Sequence, residues 1–482
     1  MQVGQRGQQA VHLIVTGLSC CIWCDRLDVT IFDGDANIPA PTVLTIGTLR
    51  KKFHGHLFMN GHNNYKGIQT ALQDELKVGL QHDLYSLENC HIATLANNDT
   101  PYGLVENAAC LIDDGIITWV GDRRELGNDA QWDQVLDLGG RMVTPALIDC
   151  HTHIVHGGDR AQEFEMRLNG ASYEEVARAG GGIISTVTAT RDADDASLLA
   201  SALPRVDAMI AEGVTLIEIK SGYGLTQDSE LRVLRVARQI TQHRPVEVRT
   251  TYLGAHAVPA EYADRADAYI DDVCIPTLRL AHEQGLVDAV DAFCEGIAFD
   301  THQVARVFDV AKELGLQIKI HAEQLSNLGG TAMAAGYGAL SADHIEYLDE
   351  TGVQAMAAAD VTAVILPGAF YTLRETQQPP VAVLRKHGVP MAVATDANPG
   401  SSPMTSILLA MNMACTLFRL TPEEALLGTT RHAAGALGLS DRGMVAAGMR
   451  ADLAVWNIKH PSELAYRIGF NPLHQRIFGG RL

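Results

Sequence analysis

The 482-residue sequence has no basic tract, and its 37 Lys and Arg residues are outnumbered by 57 Asp and Glu, a net charge of −20. Phosphate-backbone binding needs a basic footprint, so nucleic acid is excluded as an expected partner. A small anionic substrate is not excluded, because the local field at a site can oppose the net charge. No apolar run approaches the roughly 18 residues of a membrane span, so no membrane partner is expected. The nine cysteines, Cys20, Cys21, Cys24, Cys90, Cys110, Cys150, Cys274, Cys294 and Cys415, are odd in number and scattered. That usage excludes a disulfide framework and suits free thiols in a reducing, cytoplasmic compartment. Also missing is a Gly-x-Gly-x-x-Gly after the first buried strand, which argues against a doubly wound dinucleotide-binding sheet.

What remains is an ordinary globular composition, 47% apolar and 20% charged, on a chain long enough for one large domain and a smaller one. Residues 1–80 form an unassigned extension, expected to be poorly ordered or an artefactual start. Ala10–Trp23 gives only a weak signal-peptide pattern. Cys20, Cys21 and Cys24 lack the second pair that a metal knuckle needs. From about Asp83, short apolar runs at Cys90–Leu95, Ala108–Ile112 and Ile116–Val120 alternate with turn residues such as Asp113-Asp114-Gly115. This predicts a small antiparallel β unit. A similar signal returns at Leu453–Trp456, so residues 81–143 plus 440–482 are expected to form one small composite β domain.

Between these ends, apolar runs predict strands at Ala146–His153, Val214–Lys220, Val246–Tyr252, Ala289–Cys294, Gln317–His321, Ser341–Ile345, Thr362–Leu366 and Met391–Asp396. Helical patterns separate them, as at Ser172–Thr190, Asp228–Thr241, Tyr262–Glu283, Thr301–Leu314 and Asn327–Ala335. Eight buried-type strands with intervening helices over 144–439 predict an α/β fold, a (β/α)8 TIM-type barrel.

Such barrels place their chemistry at the C-terminal ends of the strands, and polar groups accumulate there. Strand one ends in His151 and His153, whose alternate positions share a face. Strand two ends in Glu218 and Lys220, and strand three leads to His256. Strand four ends at Glu295, strand five at His321, strand six at His344 and strand eight at Asp396. Three imidazoles and one carboxylate with a position left for water suit a divalent ion such as Zn(2+) or Fe(2+). Such an ion lowers the pKa of a bound water to about 7, which suits hydrolysis of amide-like bonds.

His-x-His on strand one, His on strands five and six and Asp on strand eight resemble the amidohydrolase superfamily, over about residues 83–475. The resemblance is carried further by His151-Thr-His-Ile-Val-His-Gly-Gly-Asp-Arg160, Glu218-Ile-Lys-Ser-Gly-Tyr-Gly224, Tyr252-Leu-Gly-Ala-His256, His321-Ala-Glu-Gln324, Ala342-Asp-His-Ile-Glu346 and Thr395-Asp-Ala-Asn-Pro-Gly-Ser401. It implies hydrolytic opening of the cyclic amide C–N bond of 4-imidazolone-5-propanoate to N-formimidoyl-L-glutamate, a step of histidine degradation. It makes His151, His153, His321 and Asp396 ligands of one metal, zinc or iron. It makes Arg160, Tyr223, His256, Gln324, Asn398, Gly400 and Ser401 contacts to substrate or product. Asp396 and His344 are then the proton-handling residues, with Glu295 a further candidate beside the water or substrate. Arg160 suits the substrate's propionate, since a guanidinium binds carboxylate bidentately. Two-metal relatives use a modified lysine on strand four, where this chain has Cys294-Glu295-Gly296, so a single metal is expected. Deaminating relatives carry Glu where this chain has Gln324, and an amide cannot transfer protons. Another heterocycle-directed amidohydrolase is the nearest alternative, and a non-catalytic barrel scaffold the distant one. A symmetric homodimer is the default assembly.

Overall fold

The computed structural model describes residues 84–96, 100–127, 132–171, 175 and 181–482, together with the backbone of four strands nearer the N-terminus. Those four, β1 (Gln9–Val15), β2 (Leu18–Asp25), β3 (Asp28–Asp33) and β4 (Leu44–Thr45), pair in sequence order as an antiparallel sheet. They belong to a unit of residues 1–80, distinct from the unit 81–482. The expectation of a poorly ordered start falls largely outside the described residues, as do the side chains of Cys20, Cys21 and Cys24.

A six-stranded sheet joins both ends of the larger unit. Its strands are β5 (Tyr85–Ala93), β6 (Leu104–Asp113), β7 (Ile116–Asp122), β8 (Gln134–Pro145), β17 (Leu453–Trp456) and β18 (Leu473–Ile477), in the order β18-β17-β8-β5-β6-β7. The sheet is mixed where an antiparallel unit was expected: β5 pairs β8 in parallel, because the β6–β7 hairpin occupies the opposite edge of β5. Leu87, Ile92, Ile112, Ile117, Val143, Leu453 and Val455 fill its core.

The remaining strands are β9 (Leu147–Asp149), β10 (Val214–Lys220), β11 (Glu247–Ala255), β12 (Ala289–Cys294), β13 (Gln317–Ala322), β14 (Ser341–His344), β15 (Thr362–Ile365) and β16 (Met391–Val393). All run parallel in sequence order. A parallel bridge between Thr152 and Ala397 joins the first strand's extension to the last strand's, which makes the (β/α)8 barrel. Each strand is buried on both faces. On β10, Ile217 and Ile219 join the outer core beneath the helices, while Leu216 packs inside with Ile148, Val364 and Ala392. That inner apolar plug closes the base, and the polar residues of the same strands lie above it.

The helices depart from expectation at three places. Asp195–Ala211, between β9 and β10, was not foreseen, and a separate helix, Ala161–Leu168, follows the first strand end. The stretch from Tyr262 breaks into a short 3-10 turn at Ala260–Tyr262 and a helix from Ala266 with a π segment at Ile270–Cys274. Of Ser172–Thr190, the part from Ile183 is helical, extending to Asp192, while most of 172–180 lies outside the described residues. Strands β9 and β16 are shorter than predicted, because their ends leave the sheet to present side chains at the mouth.

Trp456 of β17 is fully buried and shares the barrel's outer core, and its indole N–H donates to Thr144 Oγ1 at 2.9 Å. Replacing Trp456 by Ala is expected to cost about 3–5 kcal/mol, read as a lowered denaturation midpoint with an unchanged dependence on denaturant.

Candidate active site

The extended segment after β9 is pinned to the one after β16 by two backbone bonds, His153 N–H to Ala397 O and Asp396 N–H to His151 O, each 3.0 Å. This brings Asp396, distant in sequence, up to the histidine pair. His151 Nε2 and His153 Nε2 are 3.3 Å apart, and they stand 3.4 and 3.5 Å from Asp396 Oδ1. The His321 ring at the end of β13 lies 4.5 Å from that of His151 and 5.4 Å from that of His153, centroid to centroid. His344 at the end of β14 lies 5.4 Å from His321 and 5.8 Å from His151. Two donor groups result, His151–His153–Asp396 and His151–His321–His344, sharing His151. All five side chains are buried.

The environment fits a cation. Burial is the main cause that holds His151 and His153 well below the usual imidazole range, with nearby cationic groups adding to it, so both rings are neutral and keep a lone pair. Asp343 Oδ2 accepts from His151 Nδ1 at 2.6 Å, which leaves Nε2 as the free lone pair facing His153 and Asp396. Asp291 Oδ2 stands 3.0 Å from His321 Nδ1, and His321 Nε2 is buried without a hydrogen-bond partner. His151 Nε2, His153 Nε2 and Asp396 Oδ1 therefore converge, with His321 meeting His151 in the second donor group, an arrangement that suits a divalent ion.

Beneath them lies a layer of charge inside the barrel. Lys220 Nζ pairs with Glu218 Oε1 and Asp291 Oδ2, each at 2.8 Å, and lies 3.6 Å from Asp343 Oδ2. Lys319 Nζ donates to Cys150 O at 3.0 Å and faces Asp343 at 3.7 Å. Thr251 and Ser341 hydroxyls donate to Glu218 and Asp343, both at 2.5 Å. The surrounding carboxylates outweigh desolvation and hold Lys220 cationic, above the usual lysine range. A lysine committed to ion pairs is not free to be modified as a bridging metal ligand.

The other residues singled out in the sequence surround this centre. Tyr223 is buried, its ring 5.9 Å from His153 and 5.4 Å from His256. His256 stacks on His153 at 5.4 Å, and its Nδ1 donates to Gly222 O at 2.9 Å, so its Nε2 is an acceptor. Burial pushes its pKa down to about 4. A side chain at Gly222 would meet His256 Nδ1 at 2.9 Å on a backbone of φ +110°, so only glycine permits this approach. Arg160 is clamped bidentately by Glu163 at 2.7 and 2.5 Å, and its Nη1 lies where a Cβ on Gly400 would sit, 2.2 Å away. Asn398 organises its own loop: its Oδ1 accepts from Gly400 and Ser401 N–H at 2.8 Å, and its Nδ2 donates to Asp396 O at 2.7 Å. Gln324 is buried beside Glu323. Glu295 accepts from Leu325 N, Ser326 N and Ser326 Oγ at 2.8, 3.1 and 2.6 Å, so its carboxylate anchors the Gln324 loop.

Sequence reasoning missed the supports. Asp291 and Lys319 are charges inside apolar strand runs, and that anomaly was their signal. Asp343 lay within a quoted motif next to His344. Glu230, whose carboxylate gathers Gly222, Gly224 and Leu225 N–H at 2.9, 2.7 and 2.7 Å, sits on a helix and gave no signal. Glu323 similarly holds Gly330 and Thr331.

Lys220→Met is expected to leave Glu218 and Asp291 poorly compensated and to cost about 3–5 kcal/mol, measured by chemical denaturation. His321→Ala is expected to abolish stoichiometric metal in the purified protein while His344→Ala keeps it, as measured by elemental analysis. Loss of the metal in His344→Ala as well would assign the ion to the second donor group, which contains both residues.

Residues 142–472 match the Amidohydrolase family. The chain is 72% identical over 394 residues to the imidazolonepropionase of Ruegeria pomeroyi, covering 82% of this chain and 98% of the relative. It is 69% identical over 394 residues to that of Roseobacter denitrificans, with 82% and 99% covered. To that of Agrobacterium fabrum it is 55% identical over 425 residues, with 88% and 99% covered. In fold, it is similar to the 5-methylcytosine deaminase of Klebsiella pneumoniae, with a TM-score of 0.63 at 15% identity over 82% of this chain and 96% of the other. It is likewise similar to an Aspergillus niger ochratoxinase, with a TM-score of 0.61 at 16% identity over 83% and 95%. With these identities over nearly the full length of its relatives, the chain belongs to the imidazolonepropionase family of amidohydrolases.

Proposed function

We propose that the protein hydrolyses the ring amide C–N bond of 4-imidazolone-5-propanoate to give N-formimidoyl-L-glutamate. The observation that carries this reading is the clustering of His151, His153 and Asp396, with His321 alongside His151, at the mouth of a barrel whose rim holds Arg160, Tyr223 and His256, in a chain of this family. Those four side chains would hold one divalent ion, zinc or iron. When bound, the ion supplies Lewis acidity, polarising a carbonyl and acidifying a water. A single ion accords with Lys220 being spent in ion pairs and with Glu295, not lysine, following β12.

The chain's own groups account for the rest of the reaction. Water adds its oxygen to the ring carbonyl carbon, and Asp396 takes up the proton released. The C–N bond to the ring nitrogen breaks, and His344 relays the proton taken up by Asp396 to that nitrogen, which returns both side chains to their starting state. The balance is one water consumed and one open chain formed. Arg160 keeps donors free beyond the two that Glu163 occupies, since a guanidinium has five N–H groups, and these suit the substrate's propionate. The acceptor His256 Nε2 suits a ring N–H, and the Tyr223 hydroxyl, kept protonated by burial, suits a hydrogen-bond donor role. Gln324 adds a neutral contact beside the ring. His344 and Asp396 have left-handed backbones, φ +81° and +52°, a costly conformation that concentrates at functional sites.

A cytoplasmic location accords with the six free cysteines among the described residues, five of them buried. Among those residues no helix is long and apolar enough to cross a membrane. The assembly proposed is a symmetric dimer, checked by sedimentation.

Incubation with freshly prepared imidazolonepropionate is expected to show loss of ring absorbance and stoichiometric N-formimidoyl-L-glutamate. No turnover by metal-replete protein would overturn the substrate. Arg160→Ala is expected to raise KM by roughly 10- to 100-fold, the worth of a charge-assisted pair, and to have no such effect on an analogue lacking the propionate.

A further inference from the structure

Glu346 is a buried acid that the reaction above does not use. It is 2% exposed, and its Oε2 has no hydrogen-bond partner. The strongest charged influences on it are themselves acids, Glu375, Asp396 and Glu295. A carboxyl group kept in such a place without compensation is costly, and salt-bridge stabilisation does not account for it. Two residues earlier stands His344, whose Nδ1 is likewise buried and unpartnered. His344 and Ile345 both have left-handed backbones, φ +81° and +66°. Consecutive non-glycine residues in that region are strained, and here the turn sets His344 Nδ1 4.0 Å from Glu346 Oε1. His344 Nδ1 is thus a buried orphan, and the Glu346 oxygen nearest it, Oε1, stands just beyond hydrogen-bond reach, a gap that catalytic contacts in ligand-free sites commonly close on substrate binding.

We propose that Glu346 is a positioning residue for the reaction: its carboxyl group hydrogen-bonds His344 Nδ1, setting the imidazole's tautomer and aim so that the opposite nitrogen serves the leaving ring nitrogen. The inference rests on the hydrolytic reading for its kinetics, but the contact itself does not. Asp343 does the same for His151, so the barrel mouth would contain two carboxyl–imidazole pairs, one orienting a ligand and one orienting a proton carrier.

The test uses the full-length, zinc-loaded protein. Glu346→Ala is expected to lower kcat by roughly 10- to 100-fold, the usual worth of a group that orients an imidazole, with KM, metal content and melting temperature retained. Glu346→Gln, which keeps polar atoms at the same reach, is expected to restore most of the loss. In a His344→Ala background, Glu346→Ala is expected to add nothing further, the non-additivity of a coupled pair. Nitrogen-15 shifts of the His344 ring are expected to report one dominant tautomer in the parent protein and a mixture in Glu346→Ala. An unchanged kcat in Glu346→Ala, a full multiplicative loss in the His344→Ala background, or identical ring shifts would each overturn the proposal. Failure of the parent protein to turn over imidazolonepropionate would instead fall on the substrate assignment, with the ring shifts still deciding the contact.

Discussion

Lys220 inside the barrel is the constraint on which the mouth depends. Its ammonium group neutralises Glu218 and Asp291, and Lys319 approaches Asp343 from the other side. Two lysines among three carboxylates, all fully buried, hold the acids in fixed positions through close ion-pair contacts. Only in that state can Asp343 and Asp291 face the Nδ1 atoms of His151 and His321 and turn their Nε2 lone pairs outward. The imidazoles are thus preorganised from below, by a charge layer resting on the apolar plug of Ile148, Leu216, Val364 and Ala392. Neutral rings above and compensated ions below suit a hydrolase that must receive a cation without rearranging.

The rim is built by a different device, side-chain carboxylate and amide oxygens that gather backbone N–H groups. Glu230 holds the loop carrying Tyr223, Glu295 the loop carrying Gln324, and Asn398 the loop carrying Gly400 and Ser401. Each satisfies two or more donors that a buried loop would otherwise leave unpaired. The substrate-facing side chains therefore stand on loops with little freedom, as specificity for a small heterocycle demands. Arg160 is held likewise by Glu163, which fixes its plane while leaving other donors available.

The barrel was legible because parallel strands covered by helices read as uninterrupted apolar runs. The bounds of β10 and β12 agree with expectation to the residue. The strands that fell furthest short, β9 and β16, are those whose ends carry His151, His153 and Asp396. Leaving the sheet there frees backbone for the cross-barrel bonds that bring these residues together. The helix Asp195–Ala211 was not predicted although Asp194 caps it, because Pro204 within it interrupts the helical pattern. The parallel pairing of β5 with β8 was invisible, since strand direction in a mixed sheet depends on which edge the intervening hairpin occupies.

Residue types at strand ends were enough to name the chemistry: His151, His153, His321, His344 and Asp396 stand out because imidazole and carboxylate do not belong at the ends of buried strands without a task. That inference uses only local pattern and the period of a strand. Which nitrogen of each imidazole faces the centre, which lysine is spent on ion pairs, and which acid is anchored or orphaned depend on contacts between residues far apart in the chain. Asp343 meets His151 across 192 positions and Asp291 meets Lys220 across 71. No one-dimensional pattern encodes such pairings, because the charge state of a buried group depends on every neighbour that replaces its water, and only the closed barrel chooses those neighbours.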